Sequence, residues 1–390
     1  KVWNMSLIIV TFLLTIFGTF LTRSGVISSV HSFTQSGLGP FFLSFLAALA
    51  AVSAGLLIWR LPDLRPQHRL DSMLSRESAF LFNNLLLVGI AFATLWGTIF
   101  PVLSEWVRGV KITVGPPFFN KVNAPLAIAL LFLMGVGPLI SWRRASAARL
   151  RKLFLAPLLT GLVSALAALA AGVFSLSALA VLSLSVFVMH TVVIEFHRGA
   201  QARMTMAGEG YGRALMGLVE RNQRRYGGYI VHVGVVFIFI GVTMSSVYRV
   251  EELHTVAVGE EFSVGDYTMR FSSLDDQSDP HVMRMVANLD LSLKGRALGQ
   301  LKPEKRFYRR PQQPATEVDM RSTLAEDLYV ILGNIAEDGK ATFQVYVNPL
   351  VAWLWLGGIV VLGGTILALL PRRARHRSGP PPRKAAKGNS

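Results

Sequence analysis

Long apolar runs, separated by short polar and basic segments, dominate this chain. A helix needs about 20 mostly apolar residues to cross roughly 30 Å of hydrocarbon. Runs that meet this requirement lie at residues 5–22, 41–59, 79–100, 125–142, 153–172, 174–196, 229–247 and 349–370. The pattern therefore predicts a polytopic α-helical membrane protein with about eight transmembrane helices. Only a turn around Gly172 separates the fifth run from the sixth, so a single re-entrant hairpin is the alternative for that pair.

Lysine and arginine are unevenly distributed among the connections. Alternate connections hold 4, 5, 6 and 7 of these residues, and they lie at 60–78, 143–152, 197–228 and 371–390. By contrast, 23–40 holds only Arg23, and 101–124 holds three. Because basic loops stay in the cytoplasm, we expect both ends of the chain to be cytoplasmic. The connections 23–40, 101–124 and 248–348 are then expected to face outward.

Residues 248–348 differ from the rest in composition. They carry most of the Asp and Glu and contain short alternating stretches at 267–271, 287–293 and 343–347, bounded by Gly, Pro and Asp. Such stretches are typical of β-strands. The predicted organisation is a helical bundle over 1–247, a small β-rich outer domain over 248–348, a last helix over 349–370 and a tail over 371–390. We expect the proline-rich, basic tail to be disordered and attracted to anionic lipid.

The composition narrows the possible chemistry. The chain has no cysteine, so disulfides, thiolate metal sites, Cys nucleophiles and iron–sulfur clusters are excluded. Its net charge of +16 is spread over short loops and not gathered on one face, so we expect no nucleic-acid partner. The sequence begins Lys1-Val2-Trp3, without Met, and enters an apolar run almost at once, which we interpret as a piece of a longer protein.

Two histidines lie inside apolar runs, where a polar side chain is costly unless it has a partner. His232 lies in a glycine-containing segment, 227–235, which would let a flat macrocycle or another helix approach closely. It is therefore a candidate axial haem ligand, with the second ligand on a different helix, or else a structural histidine bonded to a neighbouring helix. His190, followed by Glu195, suggests instead a proton relay, although Glu195 could simply extend to the membrane surface.

His31 is the candidate residue in the first outer connection. A lone histidine in a loop is usually structural or exposed. What makes His31 informative is the side of the membrane on which it is expected to lie. His232 lies near the cytoplasmic end of its run, and most of the hydrocarbon thickness would separate it from His31. The two histidines cannot ligate one iron, so haem chemistry would require one buried site and one outer site.

The second outer connection contains a Gly-Pro-Pro-Phe-Phe sequence. Pro116 and Pro117 predict a turn, and Phe118 and Phe119 offer an apolar ledge for a flat ligand or a partner. The same residues could equally form a loop that seals the ends of the helices.

Several strings, in the same order, resemble the C-terminal part of the CcmF family, the haem lyase subunits of cytochrome c maturation. They are Leu21-Thr22-Arg23-Ser24-Gly25-Val26 with Ser29-Val30-His31-Ser32-Phe33, Ser75-Arg76-Glu77 with Asn83-Asn84, Val114-Gly115-Pro116-Pro117-Phe118-Phe119-Asn120, the His232 segment, Pro303-Glu304-Lys305-Arg306 and Asp327-Leu328-Tyr329-Val330. The resemblance covers nearly the whole chain and is weakest over 145–225 and in the tail.

The resemblance implies a role in cytochrome c-type biogenesis in the bacterial inner membrane. A haem lyase subunit would receive haem from the periplasmic haem chaperone CcmE and attach it to the CxxCH thiols of apocytochrome c, beside the thioreductive subunit CcmH and related subunits. His232 would be an axial ligand of a resident haem b that acts as reductant. His31 would be the catalytic residue that holds the delivered haem iron, with Arg23 and 116–119 as a possible haem or partner surface.

The chain also lacks parts of the family pattern. In family members the tryptophan-rich WWD segment, the first periplasmic histidine and the first transmembrane histidine precede the part that this chain resembles. The resemblance therefore implies a second haem ligand outside the chain and a piece that is inactive alone. Two other function classes are a proton-coupled transporter using His190 and Glu195, and a membrane scaffold for assembly partners.

Overall fold

The computed structural model describes residues 1–24, 37–64, 75–140, 147–310 and 312–370. Its helices are α1 (Val2–Arg23), α2 (Gly39–Trp59), α3 (Arg76–Arg108), α4 (Pro116–Val136), α5 (Ala147–Ala170), α6 (Leu176–Ala207), α7 (Tyr211–Arg221), α8 (Gln223–Val247) and α9 (Ala352–Leu369). Its strands are β1 (Val250–Val256), β2 (Glu261–Val264), β3 (Tyr267–Asp276), β4 (Val282–Leu293), β5 (Arg296–Leu301), β6 (Glu304–Arg309), β7 (Gln312–Glu317), β8 (Asp319–Ser322), β9 (Glu326–Ile335) and β10 (Ala341–Pro349).

Within the described ranges, eight helices are long and apolar enough to cross a membrane, all but α7. Together with the strands between α8 and α9, they confirm the predicted fold class. Helices α5 and α6 each meet the length requirement separately, which favours two spans over one re-entrant hairpin. The chain divides into two compact units, Lys1–Leu130 with Ile140–Ser146 and Leu131–Leu139 with Ala147–Ser390.

In the first unit, the structure corrects the predicted outer loop at 101–124. Helix α3 continues through Pro101 to Arg108, and α4 already begins at Pro116, so the non-helical connection is only 109–115. A proline in the first turn of a helix costs nothing, because the N–H it lacks would have no intrahelical acceptor. Apolar-run counting misses these turns because their residues are partly polar.

In the second unit, α6 extends beyond its apolar run to Ala207, and α7 follows after a tight turn. At this turn Glu209 accepts hydrogen bonds from Arg203 at 2.8 and 2.7 Å. Helix α7 buries Ala214 and Leu218, one helical turn apart, and packs on α6. The apolar runs alone predict only a connection over 197–228. The amphipathic spacing of the apolar residues in α7 is the signal in the sequence that indicates this additional helix.

The strands form a β-sandwich. One antiparallel sheet has the strand order β1-β10-β9-β8, and the other has the order β2-β3-β4-β6-β7, with β5 also paired to β4. The alternate residues that face between the sheets make a continuous apolar core. Phe271 and Phe343, one from each sheet, meet edge to face there at 5.1 Å between ring centroids.

The sandwich is joined to the membrane helices by two very short connections. Helix α8 ends at Val247 and β1 begins at Val250, while β10 ends at Pro349 and α9 begins at Ala352. Strands β1 and β10 are paired at Val250 and Val347. The pairing of α8 with α9 therefore continues directly into a pairing of strands, which fixes the sandwich to these two helices.

Candidate functional site

One side of α8 packs closely on α9 through glycines seven residues apart. A Cβ atom added at Gly227 would lie 2.7 Å from the carbonyl oxygen of Gly364, and one at Gly234 would lie 2.6 Å from that of Gly357. Gly241 continues the series, against the backbone of Leu350. Small residues let transmembrane helices approach in this way. Gly227 and Gly234 therefore serve the approach of another helix, one of the two roles the sequence allowed.

His232 lies on the opposite side of α8 from these glycines. Each step along an α-helix turns by about 100°, so His232 is rotated by roughly 140° from Gly227 and roughly 160° from Gly234. Its Nδ1 atom is buried and has no hydrogen-bond partner among the residues that the structure describes. The ring of Tyr229 lies 6.4 Å from the imidazole between centroids. A buried polar atom without a partner is uncommon and calls for an explanation. The structural alternative requires a bond from this histidine to a neighbouring helix, and the described helices provide none.

Gly228 keeps the surface beside His232 open. It precedes His232 by four residues and therefore lies one turn away on the same face. A Cβ atom added at Gly228 would meet nothing within 4 Å, in contrast to Gly227 and Gly234. Of the three glycines that the sequence singled out, only Gly228 leaves room for a flat ligand next to the imidazole.

A polar cluster joins α6 to the first turns of α8. Glu195 is almost completely buried and accepts hydrogen bonds from Arg225 and, at 3.0 Å, from the hydroxyl of Tyr229. Arg225 also donates from Nε to the Tyr229 hydroxyl at 3.0 Å. Tyr226 packs beside this cluster, with its ring 5.6 Å from that of Tyr229. Glu195 is recognisable in the sequence as a carboxylate inside an apolar run, but its partners Arg225 and Tyr229 are not.

His190 has a separate environment on α6. Its Nδ1 lies 2.9 Å from the hydroxyl oxygen of Thr160 on α5. Glu195, in contrast, is bonded to residues of α8. The two side chains that the relay hypothesis requires therefore have different partners on different helices. The contacts do not support a proton relay between them.

The structure describes only some of the candidate residues in the two outer connections. His31 lies outside the described residues. Arg23 is exposed at the end of α1. Phe118 and Phe119 pack on Gly97 of α3, where an added Cβ would lie 2.6 Å from the ring of Phe119. This contact favours the interpretation that the aromatic pair seals two helices against each other.

The family-like string Pro303-Glu304-Lys305-Arg306 lies in the β-sandwich, where its side chains make structural contacts. Glu304 accepts hydrogen bonds from Arg284 and Arg306. The bonds from Arg284 are the main cause that holds the pKa of Glu304 below its usual value. Lys305 donates to the carbonyl oxygen of Gly333 at 2.6 Å, which ties β6 to β9. These residues stabilise the domain, and we assign them no chemistry.

The site on α8 fits one axial face of a haem. It offers an imidazole with an unpartnered buried nitrogen and an adjoining surface without a side chain. Haem iron is commonly held by histidine, and its macrocycle needs a flat apolar surface. The described residues contain no cluster of three or more His, Cys, Asp or Glu that could hold a metal ion by themselves. Among the described residues, His232 therefore offers a single imidazole ligand on α8.

Comparison with known proteins decides the family. The family model of the CcmF C-terminal β-sandwich matches residues 247–349. The cytochrome c-type biogenesis protein ccl1 of Rhodobacter capsulatus is 32% identical over 385 residues, 97% of this chain and 56% of that protein. CcmF of Pseudomonas aeruginosa is 33% identical over 382 residues, covering 96% and 56%. This chain belongs to the CcmF family.

A solved structure agrees with the CcmF assignment. The chain is similar to a structure titled "Cytochrome c Heme Lyase CcmF", with a TM-score of 0.74 and 29% identity over 95% of this chain and 55% of that one. The chain thus spans about half the length of the CcmF relatives it matches. Membership confirms the resemblance, and with eight apolar helices it identifies a multi-pass membrane protein of a cytochrome c-type biogenesis family.

Proposed function

We propose that this chain forms one wall of a haem site inside the membrane and takes part in attaching haem to apocytochrome c. The observation that carries the proposal is the buried, unpartnered Nδ1 of His232 beside the open surface at Gly228, in a member of the CcmF family. An intramembrane polar group without a protein partner is best explained by a ligand.

His232 would supply one axial nitrogen to a resident haem b, and the second ligand would come from outside this chain. When bound, the haem would supply one-electron reducing power. The residues of this chain would hold the macrocycle over Gly228 and exclude lipid and water from its iron. The haem that is the substrate would be delivered by CcmE to the outer face. His31 would hold its iron, with Arg23, Pro116 and Pro117 at the edge of that site.

The covalent step would take place outside the membrane. Each Cys thiol of the apocytochrome CxxCH motif adds across one haem vinyl group, forming a C–S bond and a C–H bond with no leaving group. Catalysis would then consist mainly of positioning the two reactants. A thioreductive partner such as CcmH would keep the thiols reduced. The distribution of basic residues supports an inner-membrane orientation with both ends of the chain in the cytoplasm.

The resident site can be tested by absorption spectroscopy. We expect the full-length protein, purified in detergent, to show a Soret band that His232→Ala reduces strongly. His190→Ala is the matched control, because it removes another intramembrane imidazole whose Nδ1 already has a partner in Thr160. If the parent protein holds no haem, or if both variants retain the band equally, the proposed site on α8 is wrong.

The outer site needs a different measurement, because the delivered haem is transient. His31→Ala should leave the resident Soret band intact while abolishing formation of holocytochrome c in cells. Equal loss of the resident haem and of holocytochrome c would show that His31 serves folding and would contradict its proposed role.

A further inference from the structure

Arg225 and His232 lie on the same side of α8, two turns apart. Seven residues correspond to about 10.5 Å along the axis and to a rotation of about 20°. Gly228 lies between them and leaves the surface clear. Haem has the same arrangement, with an iron at its centre and two propionate carboxylates at one edge. A macrocycle whose iron is bound at His232 could therefore extend its carboxylates toward Arg225.

The guanidinium of Arg225 has more N–H donors than it uses in the hydrogen bonds of the described residues. Arginine carries five N–H donors. One bonds to the Tyr229 hydroxyl and one to Glu195, and Nη1 makes no hydrogen bond within the described part of the chain. The side chain is 52% exposed although its partner Glu195 is buried. The group is thus fixed on one edge and open on the other.

The contacts on the fixed edge orient the guanidinium. Tyr226 and Tyr229 flank it, with its central carbon 5.8 and 5.7 Å from the two ring centroids. The ring of Tyr229 also lies 6.4 Å from that of His232 between centroids. The same residue therefore lies next to both proposed anchors of the ligand. An arginine held in this way suits a carboxylate, because its planar fork matches the two carboxylate oxygens.

We infer that Arg225 binds a propionate carboxylate of the haem ligated by His232 and selects a macrocycle with free carboxylates. The inference rests on the proposed function, since it needs haem at His232. Glu195 and Tyr229 act as positioning residues that aim the guanidinium. The competing explanation is that the exposed edge of Arg225 contacts lipid headgroups and plays no part in haem binding.

The test compares haem with its dimethyl ester, in which both carboxylates are blocked. The full-length protein would be prepared haem-free with His31→Ala, so that only the site on α8 reports, and titrated with each compound by Soret absorbance. We expect the protein to bind haem on the order of tenfold or more tightly than the ester, the value of one charge-assisted hydrogen bond. Arg225→Gln should remove this preference.

The matched control is Arg224→Gln, which removes the same charge from the neighbouring residue. Arg224 is exposed and has no hydrogen bond or ion pair among the described residues, so this variant should keep the preference for haem. Equal weakening of haem and ester by Arg225→Gln would assign Arg225 to folding or lipid contact and overturn the inference. So would an unmodified protein that does not distinguish the two compounds. Binding that is insensitive to His232→Ala would instead refute the proposed function.

Discussion

The two sides of α8 use the same residue type for opposite purposes. On the side facing α9, Gly227 and Gly234 are in contact with the backbone of the neighbouring helix, and no Cβ atom could be added. On the other side, Gly228 has empty space where a Cβ would be, between an arginine and a histidine. One side is packed by protein, and the other is available for a ligand.

This difference shows how a glycine-rich transmembrane segment should be interpreted. The segment 227–234 contains three glycines, and the sequence alone gives them equal weight. Close contact with a backbone identifies glycines that hold helices together, whereas empty space beside polar side chains marks a glycine with room for the ligand that we propose. The comparison can be tested by enlarging each side separately and by removing the polar partners one at a time.

The largest effect is expected on the packed side. Gly234→Leu should separate α8 from α9, because the new side chain would meet the carbonyl oxygen of Gly357 at less than contact distance. Backbone cannot move aside as a flexible side chain can. We expect most of the protein to misfold, measured as the fraction that is monodisperse in detergent. A variant that folds at normal yield would show that α8 and α9 need not be in contact.

Enlarging the open side should affect the ligand and not the fold. Gly228→Leu covers the surface next to His232 with a side chain whose Cβ atom has no protein atom within 4 Å. We expect normal yield of folded protein and a large loss of the Soret band. If haem content were unchanged, the macrocycle would not lie over Gly228.

A smaller effect is expected from the polar cluster. Glu195→Ala removes the acceptor of Arg225 and of the buried Tyr229 hydroxyl. We expect the free energy of unfolding to fall by about 2 kcal/mol, mostly because the buried hydroxyl hydrogen of Tyr229 loses its acceptor, whereas Arg225 can reach solvent. Thermal unfolding in detergent would measure it. Glu220→Ala, at an exposed position on α7, is the control and should change stability by less than about 0.5 kcal/mol.

The smallest effect is expected at His190. Thr160→Val removes one hydrogen bond to its Nδ1 and should lower stability by about 1 kcal/mol without changing haem content. Thermal unfolding and the Soret band of the same preparation give both values. A substantial loss of haem in this variant would mean that His190, like His232, takes part in haem binding, contrary to what its contacts indicate.

Much of the architecture could be predicted from the sequence, because a membrane span leaves a strong one-dimensional signal. The apolar runs gave the number of spanning helices, and the alternation after Val247 indicated the β-rich domain. The apolar runs do not predict the helical turns at Pro101–Arg108 or those from Pro116 onward. These turns contain polar residues, so a search for apolar runs cannot detect that the helices continue there. The seven-residue spacing of Gly227, Gly234 and Gly241 was visible, yet its meaning depended on Gly357 and Gly364 more than a hundred residues away.

The candidate site was predictable only as far as single residues. His232 was identified because an imidazole inside an apolar run is costly. Its lack of a partner could be seen only in three dimensions. In the sequence, Arg225 is one of several basic residues before α8, and Glu195 lies only five residues from His190. The fold instead brings Glu195 to α8, thirty residues along the chain from Arg225, and such long-range pairings have no signal in one sequence.

We propose above all that the imidazole of His232 is a haem ligand on the open side of α8. The most direct test is His232→Gly in the full-length protein, with imidazole then added to the purified sample. We predict that the Soret band is reduced in the variant and that imidazole restores its position and intensity by occupying the space of the deleted side chain. A variant whose spectrum equals that of the unmodified protein before imidazole is added would contradict the claim.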